Sequence, residues 1–243
     1  STTSPTRNAI ATRCSRCNPD QSMRFLLILP LLLIASPSQA DPCAELPKPS
    51  VTIKRIDERI SYNTEYSYKS LTNIGASLAR PGKQVLGLTR GSATVSFASN
   101  TPAIIDPTGR WECASPQITL SFGFSPMTVY VAREFPEGTC AYKEIHEHEM
   151  RHVEAYQKHI ASIEKELTEM LNARFATGAV WRGPVGQTAS RLRQELDARW
   201  APYVQRQIKR VDEAQAKIDT AEEYERVANA CNGEISKVLR GKS

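Results

Sequence analysis

Histidine is scarce in this sequence, and it is not scattered. Only four of the 243 residues are histidine, and all four fall between positions 146 and 159. Long apolar runs are missing too. The run at 25–35 is too short to cross a membrane comfortably, because a spanning helix needs about 20 apolar residues. No patch interleaves arginine with aromatic residues, so nucleic acid is not an expected partner. There is no internal repeat, and no low-complexity segment beyond the N-terminal leader.

That leader has a recognisable layout. From Met23, MRFLLILPLLLIASPSQA carries one basic residue, an apolar run and a small-residue end, the arrangement of a secretory signal peptide. Cleavage is expected after Ser38-Gln39-Ala40, leaving Asp41 first. Residues 1–22 are polar and precede a good start methionine, so they are read as a misassigned start and set aside. Their Cys14 and Cys17 form a CxxC with no partner pair, a weak zinc or redox signal. No cysteine directly follows the cleavage site, so no stable membrane anchor is expected once the leader is removed. The expected location is periplasmic or extracellular. Residues 1–40 hold four Arg and one Asp, so the net charge falls from +5 to +2 without them, and the basicity of the whole chain is overstated.

Residues 41–243 suffice for one substantial domain. Four cysteines remain there: Cys43, Cys113, Cys140 and Cys231. An even count in an exported chain predicts two disulfides. Of the three pairings, Cys113–Cys140 with Cys43–Cys231 is favoured, the first bracing the strands before the long helix and the second tying the N-terminus to the last helix. A Cys/His zinc site does not suit the spacing.

The histidines carry the chemistry. Residues 146–152 read HEHEMRH, within which His148, Glu149, Met150, Arg151 and His152 form one HExxH motif. Chance puts that motif in fewer than roughly 1% of chains this long, so it carries weight. On a helix, positions i and i+4 lie about 6 Å apart on one side. Two imidazoles so placed can both reach a zinc ion at about 2.1 Å. Glu149 is rotated by about 100° from His148, beside such a metal rather than on it, where its carboxylate can act as general base toward water. Ile145, Glu149, His152, Tyr156, Ile160, Ile163 and Leu167 follow a three-or-four spacing, which puts the motif on the apolar side of its helix. Burying an acid and two histidines without a common purpose would be costly. A metal gives them one.

Around the motif the chain reads as α+β: an N-terminal antiparallel β region at about 51–135, then two long antiparallel helices. Strands are expected at 51–56, 60–68, 85–89 and 93–98, from their β-branched and aromatic content. A short helix at 69–80 closes at Pro81-Gly82. Ile118, Leu120, Phe122 and Phe124 alternate with smaller residues, the period of a strand with one buried face. Residues 127–135 are expected to return as the second strand of a hairpin, and to offer an extended peptide a backbone to pair with. The active helix is expected at about 141–174 and the second at about 190–230, with a glycine-rich loop at 175–189 between them. Trp181 is read as the anchor of that loop to the core rather than as the cover of a groove.

A catalytic zinc takes three protein ligands, and HExxH supplies two. The metzincin extension is absent, since Ala155 and Lys158 stand where its glycine and third histidine belong. His159 is about 10 Å farther along the helix, too far for the same metal, and is read as structural. His146 points to another side, as a surface or outer residue. The third ligand is therefore expected from the second helix. Antiparallel packing brings roughly residues 212–216 level with the motif, within about two turns. Asp212, Glu213, Asp219, Glu222 and Glu223 are in range. Glu222 falls on the inward stripe, four residues after Ile218 and eleven after Val211, and is the choice. Asp219 and Glu223 sit to its side as alternatives. Tyr224 is a candidate hydrogen-bond donor to a developing oxyanion.

The pattern resembles the zincin metallopeptidases of the gluzincin kind. More narrowly, it resembles the bacterial secreted zinc-protease family called domain of unknown function 922, over most of 60–231. There a later helix carries a motif close to Tyr-Asp-x-x-Thr-x-His-Gly. The nearest stretch here is Ile218-Asp219-Thr220-Ala221-Glu222-Glu223-Tyr224-Glu225, in which only the aspartate matches. The resemblance implies a zincin-like fold and a protease activity, with no substrate attached.

The leading expectation is a secreted metallopeptidase acting on a peptide or protein substrate. His148, His152 and Glu222 hold Zn²⁺, and Glu149 is the general base. The rival is a non-catalytic exported helical interaction module with a structural or vestigial metal site. Glu149 argues against a purely structural zinc, which needs no carboxylate at that position.

Overall fold

The computed structural model describes residues 41–57, 59–76 and 83–241. The expected signal peptide, its cleavage site, the Cys14/Cys17 pair and the Pro81-Gly82 breaker lie outside the described residues. A 3-10 turn at Pro42–Glu45 leads into β1 (Ser50–Ile56), β2 (Ser61–Asn63) and α1 (Tyr68–Ile74). Then come β3 (Gly87–Asn100), β4 (Ala103–Ile105), β5 (Trp111–Ala114) and β6 (Gln117–Val131). α2 (Cys140–Phe175) and β7 (Trp181–Pro184) follow. The rest is helical: α3 (Thr188–Glu195), a π turn at Leu196–Trp200, α4 (Ala201–Lys209), α5 (Val211–Ala216) and α6 (Ala221–Arg240).

β6 is the centre of the main sheet. β1 and β2 both pair with it in parallel, along Gln117–Gly123 and Thr128–Tyr130. β3 pairs with it antiparallel along its whole length. The sheet is thus mixed, not the antiparallel region expected, because side-chain alternation fixes which face is buried but not which way a neighbour runs. Nor is there a hairpin at 118–135. One strand runs through, with Ile118, Leu120, Phe122 and Phe124 buried before Ser125-Pro126, and Met127, Val129 and Val131 buried after it. The buried positions change phase by one residue at that point. There β6 bulges, its Ser125 and Pro126 facing the single β3 residue between Gly91 and Ala93. The bulge lets both halves of β6 keep their apolar side chains in the core. β4, β5 and β7 make a second, antiparallel sheet.

The strand direction decides the disulfides. Ser50 of β1 aligns with Gln117 of β6, so the segments leading into both strands meet at the same end. Cys43 bonds to Cys113, and Cys140 to Cys231. The favoured pairing, Cys113–Cys140 with Cys43–Cys231, is corrected accordingly. It took Cys113 to brace the strands against the long helix and Cys43 to tie the N-terminus to the last helix, whereas the parallel register brings Cys43 and Cys113 to one end of the sheet.

α2 starts where Thr139 caps it, its hydroxyl accepting the Tyr142 N–H at 3.1 Å. Its 36 residues span about 54 Å. The stripe from Ala141 and Ile145 through Val153, Ile160 and Leu167 to Phe175 is buried. The second long helix does not exist as one rod. Pro202 opens α4, Thr220 caps α6, and a left-handed stretch at Cys231, Asn232 and Gly233 breaks α6 itself. Leu192, Leu196, Trp200 and Val204 are nonetheless all buried. Steps of four residues drift by about 40° each on an α-helix, and the wider π turn over two of them absorbs part of that drift.

The core has two parts. One joins the inner faces of β6 and α2 to α3, α4 and Val211. The other joins α1, the start of β3, residues 131–135, the first turns of α2, and Val227 and Ile235 of α6. Residues 148–152 lie on α2 between Ile145 of the second and Val153 of the first. Among the described residues, no helix is long and apolar enough to cross a membrane.

Candidate metal centre

α2 brings the two motif histidines together as their spacing requires. Their rings meet edge to face with centroids 4.9 Å apart, and His148 Nε2 is 3.2 Å from His152 Nε2. The carboxylate that joins them is Asp219, whose Oδ1 is 3.3 Å from each Nε2. Glu222 does not join this group. It is exposed on the first turn of α6, and its selection rested on a helix running unbroken from Val211. That helix ends at Ala216, and the turn at 217–220 resets the phase before α6 begins. Asp219 stands in the turn and is directed inward.

Each imidazole is held from behind. His152 Nδ1 is 2.5 Å from Gln215 Oε1, and the Gln215 amide N–H donates in turn to the His152 carbonyl at 3.2 Å. The glutamine is therefore oriented with its oxygen toward the ring, and Nδ1 is the protonated nitrogen. His148 Nδ1 is 3.2 Å from Glu223 Oε1. Arg151 Nη2 is 3.0 Å from the same nitrogen and also pairs with Glu223 Oε1. The Arg226 guanidinium, aided by Arg151 and His148, outweighs the effect of burial and pushes the Glu223 carboxyl down to about 2. The Gln215 contact fixes Nδ1 of His152 as a donor, and the Nε2 atoms of both histidines face Asp219.

If both Nε2 atoms were unprotonated, they and the carboxylate oxygen would repel at such distances, so positive charge must join them. Burial opposes ionisation of Asp219, but its hydrogen bonds to His148 and His152 prevail and hold the carboxyl far below the ordinary range. Burial likewise works against a charged His152, yet Asp219 and Glu149 raise its pKa above the usual 6.5. A proton can supply the charge, and so can a metal ion. Four ligands at 2.0–2.1 Å in a tetrahedron are separated by about 3.3–3.4 Å. The separations here, 3.2, 3.3 and 3.3 Å, match one triangular face of it. Two imidazoles and one carboxylate are also the donor set of a catalytic zinc that keeps its fourth position open.

Glu149 lies beside this triangle, only 3% exposed. Burial raises its pKa, against the opposing pull of His152 and His148. Its Oε2 accepts the Thr89 hydroxyl at 2.8 Å, and that same hydroxyl is 3.1 Å from the Glu149 carbonyl. Gly87 passes even closer. A Cβ there would stand 2.6 Å from Glu149 Oε1 and 2.8 Å from Ile145 Cγ2, so only glycine lets β3 run this near α2. The sequence reading missed both β3 residues. A glycine opening a strand, two residues before a threonine, was the signal present.

A cavity of about 500 Å³ opens onto the centre. α2 forms its floor, residues 84–89 one wall, and Gln215, Asp219, Glu223 and Tyr224 the other. The strand expected to meet a peptide, 127–135, is not available to one, because its β6 part is paired with β2 on one side and β3 on the other. The edge facing the cavity belongs to β3. Leu86 O accepts the Ala132 N–H at 2.8 Å, so in the alternation of an antiparallel ladder Leu86 and Leu88 face β6 while Gly87 and Thr89 turn their backbone groups outward.

The other candidates fall where the sequence put them. His159 Nε2 is 2.8 Å from the Gln207 carbonyl and ties α2 to α4. His146 lies between Tyr62 and Tyr142, with ring centroids 5.6 Å from each. Trp181 stacks on Phe175 at 5.9 Å, with the Arg174 guanidinium 5.1 Å from both rings, and so pins its loop to the core. Comparison with protein-family models, with curated proteins and with solved structures finds no match to this chain.

Proposed function

We propose that this chain is an exported zinc-dependent peptidase of zincin-like architecture, with His148, His152 and Asp219 as metal ligands and Glu149 as general base. The observation that carries the reading is the triangle of Nε2, Nε2 and Oδ1 atoms beside a buried carboxylate, at the mouth of a cavity. Asp219 is also the one position at which the chain agrees with the later motif of the domain of unknown function 922 family. The two disulfides point to an oxidising, exported compartment.

Bound zinc would supply Lewis acidity, polarising a carbonyl and acidifying water. The protein's own groups do the remaining work. Glu149 takes a proton from the attacking water and returns it to the leaving amine. Burial raises its pKa toward the range in which one carboxyl group can do both. The Thr89 hydroxyl fixes Oε2, leaving Oε1 for the water. A peptide laid along β3 would pair with the outward backbone groups of Gly87 and Thr89, which sets a carbonyl over the centre and limits access of bulk water. Gln215 and Glu223 keep each imidazole turned so that Nε2 faces inward.

The test is metal content together with hydrolysis of a mixed peptide library. One zinc per chain is expected in wild type, lost in His152→Ala. Glu149→Gln should keep the zinc and lose hydrolysis. Undiminished hydrolysis in zinc-loaded Glu149→Gln would end the mechanism. Tightly held zinc without any hydrolysis by wild type would favour an interaction module with a structural metal.

A further inference from the structure

We propose that Arg226 is a positioning residue of the metal centre, acting through the carboxylate that orients His148. The inference rests on the zinc reading above. Arg226 stands three residues after Glu223 on α6, hence on the same face of the helix. Its Nε donates to Glu223 Oε2 at 3.0 Å and its Nη2 to Oε1 at 2.9 Å. This two-point grip is planar and directional, and an ammonium group cannot reproduce it. The remaining nitrogen, Nη1, crosses back to α2 and donates to Glu144 Oε2 at 2.8 Å. Glu144 lies four residues before His148, one helical turn away.

The guanidinium therefore fastens α6 to α2 one turn ahead of the first ligand. Glu223 is clamped with Oε1 against His148 Nδ1. A glutamate at the edge of a cavity would otherwise sample several rotamers, and fixing it costs entropy on each occasion a ligand needs it. The clamp makes that ordering part of the fold. It also reaches the third ligand, because Thr220 caps α6 by accepting the Glu223 N–H at 3.1 Å and Asp219 is the residue before it. Arg151 touches Glu223 as well, but from the turn of α2 that holds His148 itself. Only Arg226, among the described residues, joins Glu223 to a second point on α2.

The experiment is zinc affinity, measured on the purified full-length protein by competition with a chromophoric chelator. Wild type is compared with Arg226→Met, Arg226→Lys, Glu223→Gln and the double variant Arg226→Met/Glu223→Gln. Thermal unfolding of each metal-free protein is recorded alongside. Loss of an outer partner typically weakens metal binding about 10- to 100-fold. Arg226→Met is expected to fall in that range and Arg226→Lys to recover only part of the loss. The double variant should bind no more weakly than Glu223→Gln alone, because Arg226 acts through that carboxylate. Wild-type affinity in Arg226→Met would overturn the proposal. So would additive losses in the double variant, or a loss matched by a collapse of metal-free stability, since either marks a merely structural role. Wild type without zinc affinity would overturn the zinc reading itself, and that result is distinct because it involves no variant.

Discussion

Asp219 Oδ1 lies 3.3 Å from His152 Nε2, and it does so from a turn rather than from a helix. α5 ends at Ala216, Thr220 caps α6, and Ile218 N–H closes the intervening turn on the Gln215 carbonyl at 2.9 Å. Gln215 also holds the other side of His152. One short segment thus supplies both the third donor and the partner that orients the second.

The proposed ligand set has a direct test. Asp219→Ala should weaken zinc binding by at least about 100-fold, because only two donors remain of the three a catalytic site uses. Glu222→Ala, exposed on the next helix, should bind as wild type does. Isothermal titration of the two variants decides between them, and a loss in Glu222→Ala alone would sink the geometry described for the centre.

Glu149 gives a second test, with metal held constant. In Gly87→Ala the new methyl would start 2.6 Å from Oε1, so the strand or the carboxylate must shift. A misplacement of about 1 Å can cost about 100-fold in rate. Thr89→Val deletes one hydrogen bond to the carboxylate, worth about 1.5–3 kcal/mol when charged, and should lower kcat about tenfold or more. Both variants should keep their zinc, as read by metal analysis beside the peptide assay. Full activity in Gly87→Ala would mean that β3 does not confine Glu149.

How much of this was legible in the sequence depends on how far each feature reaches along the chain. The stripe of α2 and the meeting of His148 with His152 are local, set by 3.6 residues per turn, and both stand as read. Asp219 ranked behind Glu222 because the helix was extended through its own end. Thr220 and Glu223 fit the pattern of a capping box, a helix start that would have broken the extrapolation, and Pro202 marked an earlier break. The parallel pairing of β1 with β6 is not local at all. Alternation along 118–124 says nothing of direction, and the pairing of Cys43 with Cys113 depends on that direction. For Gly87 the sequence offered only a glycine opening a strand, and its closeness to Glu149 is a long-range contact that the sequence does not show.

The metal-free protein should lose stability as pH rises through neutrality. The raised pKa of His152 means its charged form stabilises the fold fully below about 6.5, and that contribution is lost as pH rises through the folded value. Glu149 acts in the same direction. Burial lifts its pKa above 4.5, so ionisation at higher pH works against the fold. Asp219 and Glu223, both lowered, contribute fully above their unfolded values of 3.8 and 4.5 and do not alter the slope near neutrality. Zinc reverses the trend, because its ligands must shed protons to bind. Thermal unfolding from pH 6 to 8, with chelator and with zinc, should show opposite slopes. The chelator slope should flatten in His152→Gln, and an unchanged slope there would rule out this histidine as its source.

The disulfides give the prediction least dependent on metal. Peptide mapping of the unreduced protein should recover Cys43 linked to Cys113 and Cys140 linked to Cys231. Any Cys113–Cys140 link would contradict both bonds, since it would take Cys113 from Cys43 and Cys140 from Cys231. The Cys140–Cys231 bond joins residues 91 apart in sequence, and closing a loop of about that size stabilises by about 4–5 kcal/mol in the chain-entropy account. Its effect should also be local. Cys140 opens α2 eight residues before His148, and Cys231 lies in the left-handed break of α6, beyond the turns that carry Glu223 and Arg226. Replacing both by serine should therefore lower the urea midpoint and also weaken zinc binding, because α6 then loses its covalent tie to the start of α2. Replacing Cys43 and Cys113 should lower the midpoint and leave zinc affinity unchanged, since that bond anchors the segment before β1, away from α6. Equal zinc loss in both pairs would mean that the centre follows global stability rather than the seating of α6.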